Sequence, residues 1–101
     1  MDMQKMMREV QKMQSKMNKA QADLATQSYE AEAGGGAVKI ALNGAGLVTS
    51  VRISPDAVDK EDVEALEDLV QAALNAALKK KEDATQEAMG GLTKGLKIPG
   101  L

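Results

Sequence analysis

The chain has 101 residues and a net charge of −2, with no cysteine, histidine, tryptophan or phenylalanine and a single tyrosine. One domain is what this length carries, and the missing cysteines exclude a disulfide framework or a thiolate metal site, which suits the cytoplasm. No apolar run is long enough to span a membrane, and the Met-rich N-terminus, studded with Gln and Lys, lacks the apolar core of a signal peptide.

The first predicted element is a helix over about residues 2–25. Met3, Met6, Val10, Met13, Met17, Ala20 and Leu24 keep a 3-4 spacing, and no Pro or Gly interrupts them. At 1.5 Å per residue this helix is about 36 Å long. A strand of seven residues spans only about 23 Å, so the helix overhangs any sheet built from this chain. The overhang predicts a dimer seam along Met3, Met6, Val10, Met13 and Met17, with a second copy of the chain as partner. A core built largely of Ala, Met and Val points the same way.

Next comes an antiparallel meander with strands over about 27–33, 37–42 and 47–54. It is broken by Gly34-Gly35-Gly36 and by Asn43-Gly44-Ala45-Gly46, both suited to tight hairpins that need positive φ. Alternation assigns Tyr29, Ala31, Val38, Ile40, Leu42, Leu47, Val51 and Ile53 to a buried face. Glu30, Glu32, Lys39, Ser50 and Arg52 take the wet one. Lys39 then sits across from Glu30 or Glu32.

Ser54-Pro55-Asp56 closes the last strand. A second helix is expected over about 59–89, with Asp59 as N-cap and Glu61, Asp62 and Glu64 favouring its dipole. Its apolar stripe is Val63, Leu66, Leu69, Val70, Ala73, Leu74, Ala77 and Leu78, and Gly90-Gly91 is its expected stop. Residues 1–90 form the expected domain, and 91–101 a tail containing Gly and Pro. The fold class is α+β, in the order αβββα.

Little in this chain can carry chemistry. Without His or Cys the usual general base and thiol nucleophile are absent, and no serine or threonine has a visible base beside it. The acids from Asp56 to Glu64 lack a calcium-loop pattern and read better as helix-start residues. The triple glycine is followed by neither a helix nor Lys-Ser/Thr, so it is a turn and not a phosphate loop. No catalytic residue, metal or cofactor is expected.

Charge remains. A bulk charge of −2 argues against nucleic acid, but the segments differ. Residues 1–25 carry five basic against three acidic side chains, leaving +2, and 79–101 also carry +2. Residues 55–78 hold −6. Lys5, Arg8, Lys12, Lys16 and Lys19 form one stripe on the first helix, away from its apolar seam. Such a stripe is either a solvated face or a track for phosphates. With no aromatics among them, these residues would contact backbone and not stack on bases. The methionines read as core or seam, or as a flexible surface for a client protein.

MMREVQKMQSKMNKAQADL, YEAEAGGGAVKIALNGAGLVTSVRISPD, EDVEALEDLVQAALNAALKK and MGGLTKGLKIPGL, in that order and spacing, resemble the YbaB/EbfC family of bacterial nucleoid-associated proteins from end to end. The resemblance implies helix, three strands and helix, assembled as a tweezer-shaped homodimer with protruding helices. It also implies binding of duplex DNA with weak or broad sequence preference, in the cytoplasm at the nucleoid, and an influence on nucleoid organisation and gene expression. Replication or recombination proteins are the further partners it suggests. DNA contact attributed to the helices maps onto Lys5, Arg8, Lys12, Lys16 and Lys19, and then onto Lys79, Lys80 and Lys81. The rival reading is a Met-rich helical clamp for a client or repair partner, with no direct DNA contact.

Overall fold

The structure, a computed structural model, describes residues 2–94, with only the backbone described for 92–94. Its elements run α1 (Met3–Thr26), β1 (Ser28–Ala33), β2 (Val38–Asn43), β3 (Val48–Ile53), a single 3-10 turn (Pro55–Ala57) and α2 (Val63–Lys94). The order is the expected αβββα. The strands form one antiparallel sheet in the order β1-β2-β3.

α1 begins where Asp2 accepts a hydrogen bond from the Gln4 amide at 3.1 Å, which satisfies one of the free N–H groups of the first turn. It ends where the Gln27 amide folds back onto the Leu24 carbonyl at 3.1 Å. The chain then enters β1, whose register against β2 places Tyr29 opposite Leu42 and Ala31 opposite Ile40. The β1–β2 turn has three successive glycines at positive φ, a conformation that side chains with a Cβ resist.

α2 lies across β1 and β2. Val38, Ile40, Ala73 and their neighbours Leu66, Leu69, Val70 and Leu74 form one half of the core. Ala31, Leu42 and Ala77, with Tyr29 and Leu74 against them, form the other. Ala73 and Ala77 are fully buried because their small side chains let the helix backbone approach the sheet.

Three expectations change here. First, the inner face of β3 is uncovered, because α2 reaches only β1 and β2. Val51 and Ile53, expected in the core, are 53% and 40% exposed. Second, a register shift between Ala41 and Leu42 brings Val48 opposite Leu42. A one-residue slip exchanges the faces of a strand, so Val48 joins Val51 and Ile53 on the inner side. Leu47 lies before the strand and is exposed. Third, α2 starts at Val63, four residues after the expected start, and its cap is Asp62. The Asp62 carboxylate accepts from the Ala65 amide at 3.3 Å, whereas Asp59 accepts from Glu61 within the preceding turn at 2.9 Å.

At the other end α2 continues through Gly90 and Gly91 to Lys94. Two glycines cost about 1 kcal/mol each in a helix, too little to stop one of this length. Of the expected tail, 91–94 are therefore helical and 95–101 lie outside the described residues. The molecule is elongated, 72 × 26 × 16 Å, because both helices run past the end of a short sheet.

Candidate nucleic-acid interface

α1 has no buried residue. Met13, Met17, Ala20, Leu24 and Ala25 are half-covered, and the turns before Met13 are exposed all round. The body meets α1 near its C-terminal end. There Ala20, Asp23 and Leu24 face Gln27, Tyr29, Ala84 and Ala88 across a gap of about 440 Å³. The helix is thus a projecting rod.

Lys5, Arg8, Lys12, Lys16 and Lys19 are all exposed along that rod. Their spacings of 3, 4, 4 and 3 residues, at about 100° per residue, hold all five within an arc of about 80°. Among the described residues none of the five is in an ion pair; the ion pairs formed are Lys39–Glu32 at 3.9 Å and Lys79–Asp83 at 3.4 Å. Each α1 cation is therefore free to exchange water and counterions for another anion. From Lys5 to Lys19 the stripe runs about 21 Å along the axis. With a phosphate on each strand for about every 3.4 Å of duplex axis, that length spans roughly six base-pair steps.

The three lysines of α2 are placed differently. Lys79 is held by Asp83 one turn on. Lys80 donates to the main-chain carbonyl of Glu30, on the outer edge of the sheet, at 2.6 Å. Lys81 is half-covered and has its ammonium close to Gly46 in the β2–β3 turn. The run Lys79-Lys80-Lys81 is thus divided among three local environments. On the wet face of the sheet, Lys39 sits opposite both Glu32 and Arg52, so opposite charges flank it on one side only.

The apolar side of α1 splits in two. Met13 and Met17 are half-covered, while Met3, Met6, Met7 and Val10 line an open apolar groove with Gln11. Met7 was not among the expected seam residues. It stands four residues from Met3, the signal by which it could have been included. Among the described residues no group of His, Cys, Asp or Glu could hold a metal ion, and no helix is long and apolar enough to cross a membrane.

The fold and this surface define a small helix–meander–helix protein whose distinguishing feature is a projecting cationic helix. Its backbone is similar to the crystal structure of an uncharacterised protein from Helicobacter pylori, with a TM-score of 0.78 over 91% of this chain and 97% of that one. At 22% identity that likeness concerns the fold alone. The chain belongs to the YbaB/EbfC DNA-binding family, whose model matches residues 1–96. That is a DNA-binding family and not an enzyme family. A nucleoid-associated protein of Pelotomaculum thermopropionicum is 51% identical over 100 residues, covering 99% of this chain and 95% of the relative. One from Alkaliphilus metalliredigens is 47% identical over 100 residues, covering 99% and 88%.

Proposed function

We propose that this protein is a nucleoid-associated protein that binds duplex DNA through its phosphates, with weak or broad sequence preference. In this reading it acts at the nucleoid in the cytoplasm and influences nucleoid organisation and gene expression. The observation that carries the reading is the α1 stripe: five cations in one arc, none in an ion pair among the described residues, on a helix with no fully buried residue. A stability role would not need such a helix. The absence of aromatic residues along it favours backbone contact over base reading. Lys81 is the first candidate for an additional contact, since Lys79 and Lys80 already have partners.

The binding form is a homodimer. The inner face of β3, with Val48, Val51 and Ile53 exposed beside a packed core, is an unfinished surface that a second copy completes. Two projecting α1 helices then present two cationic stripes, and Met13 and Met17 remain candidates for the seam between subunits.

The test is a gel-shift titration over a range of salt with unrelated duplexes. Replacing Lys5, Lys12 and Lys19 by Gln preserves helix propensity and removes charge. Binding to all duplexes should weaken alike, and the slope of log affinity against log salt should fall by about 0.9 for each phosphate no longer neutralised. Unchanged binding at every salt concentration would remove α1 as the DNA surface. The groove of Met3, Met6, Met7 and Val10 supports a second reading, a clamp for an apolar helix of a client or of a replication or recombination protein. Affinity for such a partner would be nearly independent of salt.

A further inference from the structure

The direction in which α1 projects is set at one small joint. The last turn of α1 meets the β2–β3 turn, where the Gly44 amide donates to the Gln27 carbonyl at 3.1 Å. A Cβ on Gly44 would fall inside the van der Waals boundary of the Leu24 carbonyl and lie 2.9 Å from the Ala25 Cα. These obstacles are main chain, so no side-chain rotation could relieve them. Gly44 is also not among the positive-φ glycines, which are Gly34, Gly35, Gly36 and Gly46. Its requirement for glycine is therefore one of space and not of backbone conformation.

The turn on the other side of the joint is well fixed. The Asn43 carboxamide accepts from the amides of Ala45 and Leu47, both at 3.0 Å. The Asn43 main chain adds bonds with Leu47 and Gly46 at 2.9 Å each. The neighbouring β2 is buried against α2. α1, by contrast, has no buried residue and a gap between itself and α2. A clash at Gly44 must be relieved by whichever side is less constrained, and that is the helix.

We propose that Gly44 is a positioning residue for DNA binding: its backbone-to-backbone contact with Leu24 and Ala25 sets the angle of α1 and so aims the cationic stripe. This rests on the phosphate-binding reading above. The lever is long. Separating the groups by roughly 1.5 Å across one 5.4 Å turn tilts the helix by about 15°. Gln4, some 30 Å along the rod, then moves by about 8 Å. Two stripes on a dimer would no longer follow the same duplex, and each phosphate left without its cation weakens binding about fivefold at 0.15 M salt.

The natural absence of cysteine lets two be introduced for spin labels, Gln4→Cys on α1 and Glu67→Cys on α2, with excess unlabelled chain refolded in so that only the intrachain distance is read. Gly44→Ala should shift that distance by several Å and weaken DNA binding about fivefold or more while the protein still melts cooperatively. Gly35→Ala is the control, because it imposes positive-φ strain at φ 67° with nothing within 4 Å of the new methyl. It should move neither the distance nor the affinity. Should Gly44→Ala fail to fold, Asn43→Ala loosens the same turn without adding an atom at the joint. It should broaden the distance distribution and weaken binding. An unmoved distance in the folded variant overturns the proposal, as does a moved distance with unchanged DNA affinity. A wild type that binds no DNA at all would instead overturn the phosphate-binding reading, while the spin-label distances would still decide whether Gly44 sets the helix angle.

Discussion

The two long helices of this protein do opposite things with similar materials. α2 buries Ala73 and Ala77 completely, holds Leu66, Leu69, Val70 and Leu74 against β1 and β2, and has seven of the chain's fifteen acids around its start. α1 has an equally regular apolar stripe but no fully buried residue, and its cations form no ion pair among the described residues. An apolar stripe of helical period thus marks a face that needs covering, without saying whether the cover comes from the same chain. Stability resides in the α2–β1–β2 sandwich, and the surface proposed for other molecules lies in α1 and the bare face of β3.

The sharpest way to break that division is to damage each half and ask what the other loses. Leu42 is fully buried at the centre of the sandwich, and Leu42→Ala should cost about 2–5 kcal/mol in chemical denaturation. The triple Lys5, Lys12, Lys19→Gln variant should lose DNA affinity with denaturation changed by less than about 0.5 kcal/mol. If the charge variant unfolds readily, α1 is part of the stability core and the division fails.

Next in expected size is the β3 face. Val51→Asp places a carboxylate at the middle of the surface assigned to the second copy, while adding nothing to the core of the single chain. Sedimentation equilibrium at low micromolar concentration should change from dimer for the wild type to a smaller species for the variant. A folded wild-type monomer under those conditions would remove the dimer, and with it the explanation for the exposed β3.

What the sequence makes legible follows from what kind of rule each feature obeys. The helices and hairpins are readable because periodicity and glycine placement act locally. The wet face, with Lys39 beside Glu32, follows from parity alone. The slip at Ala41 and Leu42 is not readable, because a bulge conserves composition while exchanging faces from that point on. Asp59 and Asp62 are equally good caps by residue type, and only the intervening turn, closed by the Asp62 amide on the Asp59 carbonyl at 3.0 Å, decides between them. Gly44 reads as a positive-φ position in a glycine-rich turn. Its actual constraint, the main chain of α1, comes from a segment some twenty residues away and leaves no local trace. The α1 stripe is visible as a pattern of charge. The freedom of its members from ion pairs needs the three-dimensional arrangement.

The caps offer a finer measure within the stable half. Asp62→Ala removes the acceptor for the Ala65 amide and should destabilise by about 1 kcal/mol. Asp59→Ala should cost less, since its bond to Glu61 lies in an exposed turn outside the helix. Chemical denaturation of both variants ranks them, and the reverse order would mean that the turn and not the helix start limits this region.

The smallest expected effect concerns the residue on which the two halves most nearly overlap. Lys80 is basic and exposed, and by charge alone it belongs with the lysines proposed to bind DNA. By geometry it belongs with the core, because its ammonium donates to the Glu30 carbonyl on β1 at 2.6 Å and ties α2 to the sheet edge. Lys80→Met keeps the aliphatic stem and deletes the donor. The Glu30 carbonyl sits at an open edge and can turn to water, so the loss should stay near the net value of one hydrogen bond, about 0.5–1.5 kcal/mol. DNA affinity and its salt slope should hardly move, in contrast to Lys12→Gln on α1, where stability should hold and the slope should drop. Measuring both quantities for both variants gives four numbers with opposite expectations along each diagonal. A salt slope that falls for Lys80→Met as much as for Lys12→Gln would extend the DNA surface onto α2, and the boundary between the stabilising and the binding half would have to be redrawn through that helix.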